Sequence, residues 1–381
     1  MTDVTPYGRS PHPVPAAVVP PDMVRPVGSA AGRSGGADAP PTLLYVSEQK
    51  HDWPRVSLHV VTGKGGTGKS TVAAALALAL ATHGKNVLLC EVEGRQGIAR
   101  MFDVDPLPYE ERRIATGLPG PEGNPGVVHA LHIDPESALL EYLAMYYKLG
   151  RAGRALDRFR VVEFATTIAP GVRDVLLTGK VFEAVQRNSR NKKAIRYDAV
   201  VLDVPPTGRI AQFLNVNNEL AGLARMGPIK SQADTVMTLF RSPRTAVHLV
   251  TVLEDMPVQE TVDGVTELRA NDLPVGAVVV NLTRPKELGD DDRDAALQGT
   301  LPRDAIEADL GKAGIDVTPA LVDELLDEAR AHAERRQLED QQRVRVEDVG
   351  VPTYELHRLP DGIDLGSLYE LALDLREQGM A

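Results

Sequence analysis

Cysteine is almost missing from this chain: among its 381 residues Cys90 stands alone. That excludes an internal disulfide, a CxxC pair and a cysteine-based zinc knuckle, and it leads us to expect a reducing, cytoplasmic setting. Long apolar runs are scarce too. The longest, Val72 to Ala81, is too short to cross a bilayer, and the polar N-terminus has no apolar stretch of the kind a secretory signal carries. Any meeting with a membrane is then expected to be peripheral or through a partner. Positive charge is in deficit, with 42 Lys and Arg against 53 Asp and Glu and a net charge of -11. Such a balance argues against a protein that coats nucleic acid by neutralising its phosphates.

What is present falls into two parts. Residues 1–54 are rich in Pro, Gly, Ala and Ser without a sustained period, and are expected to form a disordered tail in which Leu43 to Val46 is a candidate edge strand. Residues 55–381 read as one α/β domain. Leu58 to Thr62 is a short apolar strand, a glycine-rich loop follows, Ser70 to Thr82 is an almost uniformly apolar helix, and Val87 to Glu91 is a second apolar strand. This is a βαβ unit with both sheet faces covered. Between about 105 and 196 the stretches "ESALLEYLAMYYKLG" and "RDVLLTGKVFEAVQRN" carry helical spacing, which predicts a helical insertion. Strands resume at Ala199 to Leu202, Ala246 to Val252 and Val275 to Val280. Thr318 and Pro319 open a charged helix as N-cap and first residue, and a strand from Thr353 with a helix from Leu365 close the domain. The expected fold is a mostly parallel sheet flanked by helices.

The loop in "VVTGKGGTGKSTVAAALALALATHGKNVLLCEVEG", Val60 to Gly94, fits two templates. Gly63-x-Gly65-x-x-Gly68 matches a dinucleotide fingerprint, with Glu91 and Glu93 near the distance at which that fingerprint places a ribose-binding acid. Gly63-x-x-x-x-Gly68-Lys69-Ser70 matches the phosphate loop of nucleoside triphosphatases. A dinucleotide's pyrophosphate needs only backbone N–H groups and a helix N-terminus, whereas a magnesium triphosphate needs a cation and a metal-binding hydroxyl as well. Lys69 and Ser70 supply both. From average residue usage the longer pattern arises by chance in a chain this long on the order of one time in a hundred, so the triphosphate template is preferred over a nicotinamide-dependent oxidoreductase. Asp203, ending the strand in "YDAVVLDVPPTG", stands where a carboxylate can hold Mg²⁺ opposite Ser70. Gly65, Gly66 and Gly68 are assigned to the backbone cradle with Thr67, Lys69 to the β/γ-phosphate oxygens, and Thr71 to the α-phosphate. His129 and His132 come without further ligands and are read as ordinary strand or loop residues.

Lys64 near the start of "GKGGTGKST" resembles the deviant phosphate loop of the ATPases that include MinD, ParA and the nitrogenase iron protein. Within that group the chain is most similar to the ArsA and tail-anchored-protein-targeting ATPase family. "DVPPTGRIAQFL", Asp203 to Leu214, resembles the family's second switch, here Pro206, Thr207 and Gly208; "CEVEGRQGIARMFD" occupies the place of the first switch; "VVVNLTRP" resembles the strand whose Asn, here Asn281, reads the adenine edge. The resemblance implies an ATP-hydrolysing, Mg²⁺-dependent dimer, pairing either two identical chains or this chain with a related ATPase, coupled to a membrane-associated partner or client. It further implies that Glu93 orients the attacking water and that Lys64 reaches the phosphates of a partner subunit. The chain departs from the family at Glu93, where Asp is usual, and at Arg209, where His is usual; a nucleotide-gated scaffold with little hydrolysis is the alternative these departures leave open. With no cysteine triad, arsenite has no trithiolate site here.

Overall fold

The computed structural model describes residues 53–82, 84–92, 96–119, 124–147, 170–187, 194–214, 228–360 and 362–381. The expected tail at 1–54 therefore lies outside the described residues except for Trp53 and Pro54, as does the candidate strand at Leu43 to Val46. Trp53 packs against the core below α1 and edge-on to His248. The domain is built on an eight-stranded sheet: β1 (Leu58–Gly63), β2 (Val87–Glu91), β3 (Arg112–Thr116), β4 (Val127–His132), β5 (Ala199–Asp203), β6 (Thr245–Thr251), β7 (Val275–Thr283) and β8 (Thr353–His357), in the order β3-β4-β2-β5-β1-β6-β7-β8. Every neighbouring pair is parallel except β3 with β4.

The fully buried runs AVVLD, VLLCE and TAVHLVT form the sheet's middle because helices cover both of its faces. On one face α1 (Lys69–Thr82) lies between the sheet and the C-terminal helix Leu365–Glu377, so it is buried all round from Val72 to Thr82. On the other, helices Pro170–Gln186, Pro228–Phe240 and Asp255–Ala270 press Val175, Val181, Phe240 and Leu268 onto Leu58, Val60, Leu88 and Leu202. Cys90 sits in this second core, where burial pushes its thiol far up, so it is no nucleophile. Among the described residues no helix is long and apolar enough to cross a membrane.

One expectation is corrected. The stretch from 105 to 196, expected to be a helical insertion, opens with two strands before its helices α3 (Pro135–Tyr147) and α4 (Pro170–Gln186). β4 alternates too briefly to stand out, and β3 is an edge strand of sequence RRIAT whose two arginines point into solvent. Pairing on an existing sheet edge, rather than intrinsic propensity, makes such a strand.

β1 lies between β5 and β6, and its following helix crosses over β5 to reach β2. The chain therefore changes direction at β1, and the carboxyl ends of β1, β5 and β6 form a crevice of the kind in which open α/β sheets bind ligands.

Nearer the start of these strands, His59 and His248 stack and share a 3.1 Å hydrogen bond between Nδ1 and Nε2. Because His248 Nδ1 accepts the Ala277 N–H, its Nε2 carries the proton and donates to His59. Burial pushes His248 down from an ordinary 6.5 to about 3. The unfolded chain thus binds a proton near pH 6.5 that the folded chain refuses until about pH 3. Stability is full above the upper value and falls as pH drops between the two, by about 1 kcal/mol per pH unit. Urea unfolding at about pH 7.5 and about pH 5 should show that loss in the parent chain, and a flatter dependence in His248→Gln; equal slopes would contradict the assignment.

Candidate functional site

The loop between β1 and α1 is held from both sides. A Cβ on Gly63 would collide with the Val250 carbonyl of β6, and a Cβ on Gly68, which also has φ +85°, would collide with Asn281 Nδ2 of β7. Only glycine allows those two approaches. Thr67 closes the turn, its Oγ1 donating to Lys64 O at 2.9 Å, and Asn281 Nδ2 donates to Thr67 O at 2.9 Å. A side chain on Gly65 or Gly66 would meet nothing within 4 Å, so the loop opens on that side. It leads directly into α1, where unpaired N–H groups and the helix dipole favour an anion.

Ser70, on the first turn of α1, donates from Oγ to Asp203 Oδ2 at 2.6 Å, across 133 residues of sequence. Asp203 ends β5 beside Val61 of β1 and is 6% exposed. A short, charge-assisted bond fixes the two groups together, and a hydroxyl with a carboxylate is the hard-oxygen pair that Mg²⁺ selects. The residues present thus fit the cation expected from the motif. Lys69 is half-buried, and no carboxylate pairs with it among the described residues. Thr71 Oγ1 faces Met101 Sδ at 3.6 Å.

Asn281 is 4% exposed, and besides bracing Thr67 it lines a cavity of about 220 Å³ with Leu253, Glu254, Leu282, Arg284 and Glu339. One of its two functional atoms is committed to the loop rather than to a base edge. Leu282, next in sequence, is held at φ +60°, a conformation uncommon for a leucine. In the segment expected to be a second switch, the Pro205 carbonyl accepts from Thr62 Oγ1 at 3.0 Å and a 3-10 turn follows over Thr207–Arg209. Pro206 caps that turn through its carbonyl and Gly208 is exposed. Thr207 is buried, its hydroxyl lacking a hydrogen-bond partner among the described residues, against α7 (Asp255–Ala270), whose Gly264 lies so near that a Cβ there would stand 2.6 Å from Thr207 Cγ2.

Glu93 lies outside the described residues. Lys64, expected to serve a partner subunit, is bound within its own chain: its Nζ lies 2.5 Å from Glu260 Oε1 on α7. Nothing local marks Glu260, which is 196 residues away. Glu91 is not an open ribose-binding acid either. It is 2% exposed and its Oε1 accepts the Gly97 N–H at 2.8 Å, which removes the support it lent to the dinucleotide template.

A family model described as anion-transporting ATPase matches residues 56–242. The chain is 52% identical over 332 residues to ATPase BagA of Mycobacterium tuberculosis, covering 86% of this chain and 96% of that protein. It is 25% identical over 270 residues to ATPase GET3 of Kluyveromyces lactis, covering 62% of this chain and 73% of that one.

Gly68→Ala should remove the site without unfolding the domain, because the added methyl strains a left-handed backbone and displaces Asn281 from the loop. Equilibrium binding of a fluorescent ATP analogue is expected to fall at least about a hundredfold while the thermal midpoint drops by only about 2–4 °C. Undiminished binding would contradict the geometry.

Proposed function

Because the chain belongs to the anion-transporting ATPase family, and is accordingly an ATP hydrolase, we propose that it works as a Mg²⁺-dependent dimer switch driven by ATP binding and hydrolysis. The observation that carries this reading is the 2.6 Å bond between Ser70 and Asp203 behind an open glycine loop. Phosphoryl transfer asks for positioning and charge neutralisation rather than covalent chemistry from the protein. The loop N–H groups at Gly65, Gly66 and Gly68 orient the triphosphate, Lys69 places its ammonium on the β/γ oxygens, and Thr71 contacts the α-phosphate. Ser70 and Asp203 would hold Mg²⁺, which when bound neutralises phosphate charge. Asn281 keeps the loop in shape and presents its remaining amide oxygen toward the base. Glu93, by its place between β2 and α2 (Gly97–Met101), is the proposed group that orients water.

Lys64 is the proposed link between two subunits, the second being another copy of this chain or a related ATPase. Within one chain it is neutralised by Glu260, and a partner's triphosphate, with more negative charge, would draw it across as the dimer closes. α7 also touches Thr207 through Gly264 and binds Arg345 of the long helix Pro319–Glu347 through Asp255. Nucleotide state would thus reach the second switch and the C-terminal helices through one rigid element. A client or a membrane-associated partner reading that movement, at a cytoplasmic or peripheral membrane location, completes the proposal. The domain doing this work is taken to be residues 55–381, with 1–54 as an appended tail.

Lys69→Ala is expected to bring Mg²⁺-ATP hydrolysis to background, and Lys64→Ala to cut it by roughly 10³-fold or more if the cation acts in trans, with circular dichroism unchanged in both. Phosphate release at the parental rate in Lys69→Ala would overturn the assignment of the site; the same result in Lys64→Ala would overturn only the switch.

A further inference from the structure

His132, Glu91 and Asp203 are aligned partners on three adjacent strands, β4, β2 and β5. Two residues earlier, Leu89 and Val201, which share the pleat direction of Glu91 and Asp203, lie in the core on the α1 side. Side chains repeat every second residue along a strand, so Glu91 and Asp203 end neighbouring strands on the same face, the one from which α1 presents Ser70. Parallel neighbours stand about 4.8 Å apart.

Glu91 is buried there with its two oxygens in different circumstances. Oε1 takes the N–H of Gly97, the first residue of α2. Among the described residues Oε2 has no hydrogen-bond partner; His132 Nδ1 lies 3.6 Å from it and has none either. That separation is beyond a hydrogen bond, and a buried carboxylate oxygen without a donor is costly. A hydrated divalent cation beside Asp203 would bring water donors to this strand end.

We propose that Glu91 is a second carboxylate of the cation site: Oε2 accepts from the water shell of the divalent ion held by Ser70 and Asp203, while Oε1 keeps its hold on Gly97. It is a positioning residue rather than a catalytic one. Through its two oxygens a single side chain ties the cation to the start of α2. This inference rests on the assignment of Ser70 and Asp203 to the metal.

The test is an electron paramagnetic resonance titration of Mn²⁺ into the full chain loaded with a non-hydrolysable ATP analogue. Glu91→Gln, which keeps a carbonyl for the Gly97 N–H, should weaken Mn²⁺ by roughly ten- to a hundredfold, with the analogue's affinity in EDTA unchanged. Equal Mn²⁺ affinity in Glu91→Gln and the parent would overturn the proposal. If Asp203→Asn also leaves Mn²⁺ affinity unaltered, it is the assignment of Ser70 and Asp203 that fails, and this one with it. Should Glu91→Gln not fold, hydrogen exchange of the peptide holding Gly97 decides in the parent chain. Exchange is expected to slow when Mg²⁺ is added to the analogue complex and not to slow in Asp203→Asn; no Mg²⁺ effect in the parent overturns the proposal.

Discussion

The hydroxyl of Ser70 and the carboxylate of Asp203 meet at 2.6 Å although 133 residues separate them. For that to happen, β5 must lie directly beside β1, and α1 must leave the sheet on the side where Asp203 points. Both conditions follow from the crossover that carries α1 over β5 to β2. The bond brings a helix terminus, which favours anions, and a buried carboxylate together at one place. A protein without a charged ligand to bind there would gain little from burying Asp203 to 6% exposure.

The loop itself is shaped by its neighbours. β6 approaches Gly63 through the Val250 carbonyl, β7 approaches Gly68 through Asn281, and Asn281 binds the Thr67 carbonyl. The glycines are therefore packing requirements as much as conformational ones, and they make the loop part of the sheet rather than an independent element. α7 continues this on the other flank, since it holds Lys64 by Glu260, touches Thr207 at Gly264 and reaches Arg345 by Asp255.

Local signals made much of this legible. The loop, Lys69 and Ser70 are contiguous, and the central strands announce themselves as continuous apolar runs because both their faces are covered. β3 was hidden for the converse reason: an edge strand with exposed Arg112 and Arg113 owes its form to its neighbour. Spacing misled at Glu91, where a carboxylate about twenty residues beyond a glycine loop suits a ribose as well as a buried bond to Gly97. At Asn281 the resemblance named the residue but gave no sign that its amide nitrogen binds the Thr67 carbonyl. Glu260 could not be found at all, because an ion pair formed across 196 residues leaves no periodic trace.

The central claim is that Ser70 and Asp203 converge on one cation behind a bound triphosphate. A crystal structure with a non-hydrolysable ATP analogue and Mg²⁺ tests it most directly. The account predicts both groups facing a single Mg²⁺, with the Lys69 ammonium on the phosphates and the direct Ser70–Asp203 bond opened or lengthened to admit the ion. A triphosphate bound elsewhere, or lying in the loop with that bond intact and the cation on other residues, would contradict it.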